Sequence, residues 1–326
     1  MATKPWASSA TYLWCFSMIT QQLRNALFVV SLLLLSACGT APTTNTADII
    51  TTTGMIADAV QHIVSPNMSV LGLMGSGVDP HTYKATAGDV KRLRNAKLVI
   101  YNGLHLEAKL GDILKELDKP TIALGENVPQ DLIHHLEDYP GQHDPHIWFD
   151  VPLWMQVVQE INKTVSAFDP AHAAEYEANT TAYLKELAEL DRYVRQRIQE
   201  IPTASRVLIT AHDAFGYFDQ AYGVEVLGLQ GISTAAEAGT QDVQNLANII
   251  ASRKIPAIFV ESSVPRRHIQ AVQQAVQARG WDVQIGGELF SDAMGAPGTF
   301  EGTYIGMVKH NVDTIVNALS KQDSHQ

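Results

Sequence analysis

The tripeptide Asp-Pro-His occurs twice in this chain, as Asp79-Pro80-His81 and Asp144-Pro145-His146, and a third imidazole stands in Thr210-Ala211-His212-Asp213. Histidine is the commonest metal ligand, and proline fixes a rigid turn that presents the next side chain out of regular structure. Two such turns, with a third histidine straight after an apolar strand-like run, point to one ion held by distant segments. A lone Asp-Pro-His is more often an ordinary turn, so the reading depends on context.

The elements that must position these residues alternate in kind. From Asp48 onward, Ile49 to Thr53 is β-branched, Met55 to Val64 has helical spacing and Val70 to Met74 is apolar again. Asp89 to Asn95 reads as a charged helix, Leu98 to Tyr101 as a buried strand, Leu106 to Leu117 as an amphipathic helix and Thr121 to Leu124 as a strand. Residues 126–146 form a loop, and Val151 to Phe168 is helical. Asp169-Pro170 has the form of an N-cap with proline at N1, opening a run to Glu200 that contains no further proline or glycine. Strand-like Arg206 to Thr210, Val224 to Leu229, Ala257 to Val260 and Val283 to Ile285 then alternate with helical Asp242 to Ser252, His268 to Arg279 and Tyr304 to Leu319. The expectation is an α/β protein of two lobes, each a mostly parallel sheet with flanking helices, joined by one long helix. The lobes are drawn at 48–168 and 201–326, with the bridging helix at 169–200.

Bulk properties narrow the partners. The 326 residues are 46% hydrophobic and 17% charged, enough for two ordinary cores. A net charge of −11 without a Lys/Arg cluster argues against nucleic acid. Leu27 to Leu35 is an apolar run preceded by Arg24 and followed by Ser36-Ala37-Cys38-Gly39. A basic flank, a short apolar core and small residues describe an export signal, too short for a stable membrane span. Leu35-Ser36-Ala37-Cys38 resembles a bacterial lipobox, which implies a signal peptide at 1–37, a lipidated Cys38 and a polar tether over 38–47. Met18, ahead of Arg24, is a second candidate start. The only cysteines are Cys15, inside that signal, and Cys38, so the mature domain has neither a disulfide nor a thiolate for metal. Loss of residues 1–37 removes Lys4 and Arg24 and no acid, taking the charge from −11 to −13.

Seven segments in order carry a resemblance. They are residues 77–83, 101–107, 143–150, 210–218, 259–263 (Phe-Val-Glu-Ser-Ser), 287–295 (Gly-Glu-Leu-Phe-Ser-Asp-Ala-Met-Gly) and 302–304. Together they resemble the manganese/zinc-binding lipoproteins of ABC importers, the TroA-type substrate-binding proteins, over about residues 48–320. The resemblance implies metal ligands at His81 and His146 in the first lobe and His212 and Asp292 in the second. It implies Mn²⁺ or Zn²⁺ as transported ligand, an ABC permease with its ATPase subunit as partners, and a monomeric protein anchored to the outside of the membrane through Cys38. The sequence contains no Gly-x4-Gly-Lys-Ser/Thr loop, so the ATPase must be a separate chain. The long bridging helix would limit hinge motion, so small rearrangements rather than wide opening are expected on metal release.

Other residues take supporting roles in this reading. His105 and His143 support loops, His310 packs or hydrogen-bonds within the last helix, and His62, His172, His268 and His325 lie at the surface. His134 and His135 are candidates for an accessory metal site. Glu261 stands near the cleft in a structural role, while Trp148, Tyr217 and Phe218 pack the cleft walls. The alternative function is a zinc-dependent hydrolase using the same ligands. That would require an open coordination position and a nearby base, and no His-Glu-x-x-His occurs.

Overall fold

The computed structural model describes residues 47–64, 66, 68–136 and 142–320. The signal segment, Cys38, residues 38–46 of the tether and His325 lie outside the described residues. The first half of the chain builds a four-stranded parallel sheet from β1 (Ile49–Thr51), β2 (Val70–Gly72), β3 (Leu98–Tyr101) and β4 (Thr121–Ala123), in the order β2-β1-β3-β4. Ile49 sits opposite both Val70 and Leu98, and Val99 opposite Thr121. The central strands are β-branched and buried, as parallel strands covered on both faces must be. Helices α1 (Gly54–Ile63), α2 (Ala87–Asn95) and the short α3 (Gly111–Lys115) connect them. Thr86 opens α2 with a reciprocal capping box to Asp89.

Helix α4 (Val151–Phe168) starts at Asp150, whose side chain accepts from the Leu153 N–H at 3.1 Å. Helix α5 (Ala173–Ile198) follows a single 3₁₀ turn over Pro170–His172. Its 26 residues span roughly 39 Å at 1.5 Å per residue. One stripe of it is buried, namely Tyr176, Thr180, Tyr183, Leu187, Leu190, Val194 and Ile198. Each fully buried aliphatic side chain of such a stripe stabilises by about 1.5–3 kcal/mol.

In the second half, β5 (Val207–His212) pairs in parallel with β6 (Glu225–Gln230), and β7 (Ala257–Glu261) with β8 (Gln284–Leu289). Helices α6 (Gly216–Tyr222), α7 (Thr240–Arg253), α8 (Arg267–Gln277) and α9 (Tyr304–Leu319) surround them. Strand β5 lies beside β7, and the Ala211 and His212 N–H groups donate to the Glu261 carboxylate at 2.7 and 2.9 Å. One apolar core runs through both halves, from Ile49 and Ile56 through Trp154, Tyr183 and Leu187 to Tyr304 and Leu319. No helix among the described residues is long and apolar enough to cross a membrane.

Three local readings are corrected. The amphipathic segment from Leu106 to Leu117 is helical only over Gly111–Lys115. Gly103, Leu104 and His105 adopt φ of 79°, 52° and 66°, a left-handed turn, and Glu107 is buried behind it. Glu107 accepts hydrogen bonds from the Asn102 and Gly103 N–H groups and the Thr52 hydroxyl, which ties the turn to the end of β1. Asp169 does not cap the long helix with its side chain. Its carboxylate accepts from the Tyr176 hydroxyl at 2.7 Å and contacts His172 Nδ1 at 2.7 Å. Strand β5 extends two residues past Thr210, so His212 is its last residue rather than the first of a loop.

Candidate metal centre

Four segments converge at the carboxyl-terminal side of the strands, where open α/β sheets hold their ligands. His81 lies in the loop after β2, His146 in the turn that leads into α4, His212 at the end of β5, and Asp292 three residues beyond β8. Their ligand atoms all lie within 4.8 Å of one another. His81 Nε2 is 3.3 Å from His146 Nε2 and 3.7 Å from Asp292 Oδ2. His146 Nε2 lies 3.3 Å from Asp292 Oδ1, and His212 Nε2 lies 3.2 Å from Asp292 Oδ2. None of the four is more than 3% exposed. The structure thus brings the four sequence candidates together in one buried cluster.

Both Asp-Pro-His copies use the same backbone device. Asp79 accepts from the His81 N–H at 2.9 Å, and Asp144 accepts from the His146 N–H at 2.9 Å. Their further contacts differ. Asp144 Oδ1 also lies 2.6 Å from His146 Nδ1, which leaves Nε2 to face the centre. Asp79 Oδ2 instead accepts from the hydroxyls of Thr82 at 2.8 Å and Thr234 at 2.7 Å, the latter from the second half. Glu261 stands beside His212 much as Asp144 stands beside His146, with its Oε2 2.5 Å from Nδ1, but there the contact is one of charge and not an aligned hydrogen bond. Asp292 is positioned from across the centre, since Trp148 Nε1 donates to the Ser291 carbonyl at 3.0 Å and the Tyr304 hydroxyl donates to the Trp148 carbonyl at 2.7 Å. The Tyr217 hydroxyl donates to the Asp144 carbonyl, so Trp148 and Tyr217 brace the ligand loops.

The donor set fits a divalent cation. Both Asp292 oxygens and His212 Nε2 are buried with no hydrogen-bond partner among the described residues. Such groups cost roughly 1–3 kcal/mol each unless something satisfies them. Charge is distributed unevenly in the metal-free protein. Burial works against charge on His146, but Asp144 and Asp292 outweigh it and hold its pKa up at about 9. Burial likewise opposes charge on His212, and Glu261 and Asp292 outweigh it, taking His212 well above the ordinary imidazole range. His81 is depressed to about 4 by burial, which exceeds the support it draws from Asp292. Burial would raise Asp292, but His212, His146 and His81 hold it well below the usual carboxylate range.

The remaining histidines take other positions. His134 stacks on Tyr217 at 3.9 Å between ring centroids and contacts the Gln220 side chain through Nε2. His135 instead meets His143 edge-on at 4.8 Å, so the two neighbours engage different partners. His105 is exposed in the left-handed turn, and His310 Nε2 lies 3.0 Å from the Glu288 carbonyl in the last helix. The orienting roles of Asp144 and Glu261 were missed in the sequence. An aspartate two residues before a histidine is a standing signal for the first, because Asx turns bond the backbone two residues on. Glu261 carried only its place at the end of a buried strand.

Fold and centre together define an α/β protein with a buried three-histidine, one-carboxylate cluster between two halves. The chain belongs to the family described as ZnuA, zinc-uptake complex component A, periplasmic, which it matches over residues 49–318. It is 53% identical over 275 residues to the zinc-binding protein TroA of Treponema pallidum (strain Nichols), covering 84% of this chain and 89% of that one. It is 45% identical over 292 residues to the manganese-binding lipoprotein MntA of Bacillus subtilis (strain 168), covering 87% and 95%. The solved structure of the periplasmic zinc binding protein TroA from Treponema pallidum superposes with a TM-score of 0.82 at 52% identity, covering 85% of this chain and 100% of that one. The resemblance seen in the seven motifs and the α/β architecture are thus the ones found. The hydrolase alternative finds no support among these relatives.

Proposed function

We propose that this chain is an extracytoplasmic substrate-binding protein that captures Mn²⁺ or Zn²⁺ as cargo and delivers it to an ABC permease driven by a separate ATPase subunit. The observation that carries the reading is the convergence of His81, His146, His212 and Asp292, buried and lacking protein partners for key atoms. The names of the relatives, a zinc-binding protein and a manganese-binding lipoprotein, support the same cargo class. Three neutral imidazoles and a carboxylate leave a divalent ion with a local charge of about +1 and close a tetrahedron for Zn²⁺. A bidentate Asp292 would add a fifth position, which suits Mn²⁺. Intrinsic affinity for a nitrogen-rich site favours Zn²⁺ whichever ion is the biological cargo. Four protein ligands leave little room for a reactive water, which supports a carrier rather than an enzyme.

In this reading residues 48–168 and 201–326 are the two metal-binding lobes and 169–200 bridges them. The protein acts as a monomer held to the outer face of the membrane by a lipid on Cys38, which raises its concentration near the permease. The relative named a lipoprotein supports that anchor. Deleting the gene and adding back single metals under chelation tests the function. Growth restored by Mn²⁺ or Zn²⁺ alone is the expected result, and a deletion strain indifferent to chelation contradicts it.

A further inference from the structure

Asp292 stands in a stretch, residues 290–303, that runs from β8 to α9 without helix or strand. The stretch belongs to the second half, yet both of its ends are held by the first. At the near end, Trp148 Nε1 donates to the Ser291 carbonyl at 3.0 Å. At the far end, the Tyr304 N–H donates to the Asp58 carboxylate of α1 at 3.1 Å. Tyr304 is the first residue of α9, so its N–H has no partner within that helix. Thr303 caps α9 through the Gly306 N–H and leaves the Tyr304 N–H to Asp58. The two ends are also joined to each other, because the Tyr304 hydroxyl donates to the Trp148 carbonyl at 2.7 Å. Between them the stretch is stiff. The Gly295 N–H donates to the Glu301 carbonyl at 2.8 Å and the Gly302 N–H to the Thr299 carbonyl at 3.2 Å. A Cβ at Gly295 would lie 2.6 Å from that of Glu301, so the two strands of this loop are in close contact.

Asp58 is 7% exposed, and the oxygen that takes the Tyr304 N–H also accepts from the Tyr183 hydroxyl of the bridging helix α5 at 3.2 Å. His62, one turn further along α1, stacks flat on the Tyr183 ring at 4.1 Å between centroids. Burial raises the Asp58 carboxyl above its ordinary value. A buried carboxylate is costly where an apolar side chain would pack, and here a single oxygen joins α1, α5 and α9. We infer that Asp58 is a positioning residue for the cargo ion: by tying the far end of the 290–303 stretch to the first half, it keeps Asp292 against the three histidines and slows release. The inference rests on the reading of the four-residue cluster as the cargo site. It adds a residue outside the cluster that sets how long the ion stays. The tie acts on the assembled site, so its loss falls on release rather than on capture.

Zinc capture and release are measured by stopped flow with a fluorescent chelator, alongside the equilibrium Kd. Asp58→Leu, similar in size but without an acceptor, is expected to raise the release rate roughly tenfold and to change capture less than about twofold, so that Kd rises with release. Asp58→Asn keeps an acceptor oxygen and should bring release back to within about twofold of the unaltered protein. Tyr183→Phe removes one donor to Asp58 and keeps the ring, so it should speed release in smaller measure, and it carries the test if Asp58→Leu does not fold. Val276→Ala, buried in the separate apolar cluster of the second half, should lower the urea midpoint and leave release unchanged. Unchanged release in Asp58→Leu and Tyr183→Phe, an Asp58→Asn variant as fast as Asp58→Leu, or equal acceleration in Val276→Ala would overturn the inference. His81→Ala tests the underlying reading separately. Full affinity in that variant removes the cargo site, whereas lost affinity with unchanged release in the Asp58 variants removes only the role of Asp58.

Discussion

At the scale of single residues, the cluster is two layers deep: four groups face a common point, Asp144 holds the Nδ1 of His146, and the Glu261 carboxylate stands behind the Nδ1 of His212. Glu261→Gln should therefore weaken metal binding by about 10–100-fold, measured by chelator competition, although Glu261 does not face the ion. Unchanged affinity would remove its orienting role. Proton linkage follows from the raised imidazoles. His146 at about 9 lies above the ordinary 6.5, so its interactions stabilise the metal-free fold fully below about 6.5 and are lost as pH rises through about 9. The ion competes with the same protons, so binding should tighten as pH rises over that window. Calorimetry at neutral pH in buffers of different ionisation enthalpy should report release of about two protons, from His146 and His212. No release would contradict the protonation assigned to the metal-free centre. The three histidines could be singled out in the sequence because Asp-Pro-His is a turn with a physical meaning and His212 follows an apolar strand-like run. Asp292 was legible only through resemblance, since a lone aspartate in Phe-Ser-Asp-Ala carries no spacing signal.

At the scale of elements, the strand and helix alternation was readable because each segment keeps its period of apolar residues. The failures were tertiary in origin. Leu106 to Leu117 has helical spacing, but the burial of Glu107 against Asn102, Gly103 and Thr52 bends its first half into turns. Asp169 looked like a cap, yet Tyr176 and His172 claim its carboxylate. One close approach has a direct consequence. A Cβ at Gly286 in β8 would lie 2.7 Å from both the Ala318 side chain of α9 and the Phe259 ring of β7. Gly286→Val should cost roughly 1–3 kcal/mol of stability by overpacking, read from the urea midpoint. An unchanged midpoint would mean that α9 can move away from β8.

At the scale of the whole molecule, the largest apolar cluster joins the two halves along the long helix, and each half also keeps a smaller cluster of its own. Such a core should unfold as one unit, so calorimetry of the metal-free protein is expected to show a single transition. Metal at a thousand times its Kd should add about 4 kcal/mol. Two separated transitions would show that the halves fold independently. For the same reason, the loaded and metal-free proteins should differ by local loop shifts, and a wide rotation of one half against the other would contradict this. The central claim, that the ion sits at the point where both halves meet, is tested most directly by anomalous diffraction from crystals grown with Zn²⁺. One strong peak is expected within about 2.0–2.2 Å of the Nε2 atoms of His81, His146 and His212 and of an Asp292 oxygen. A zinc peak elsewhere, with these four side chains unligated, would contradict it.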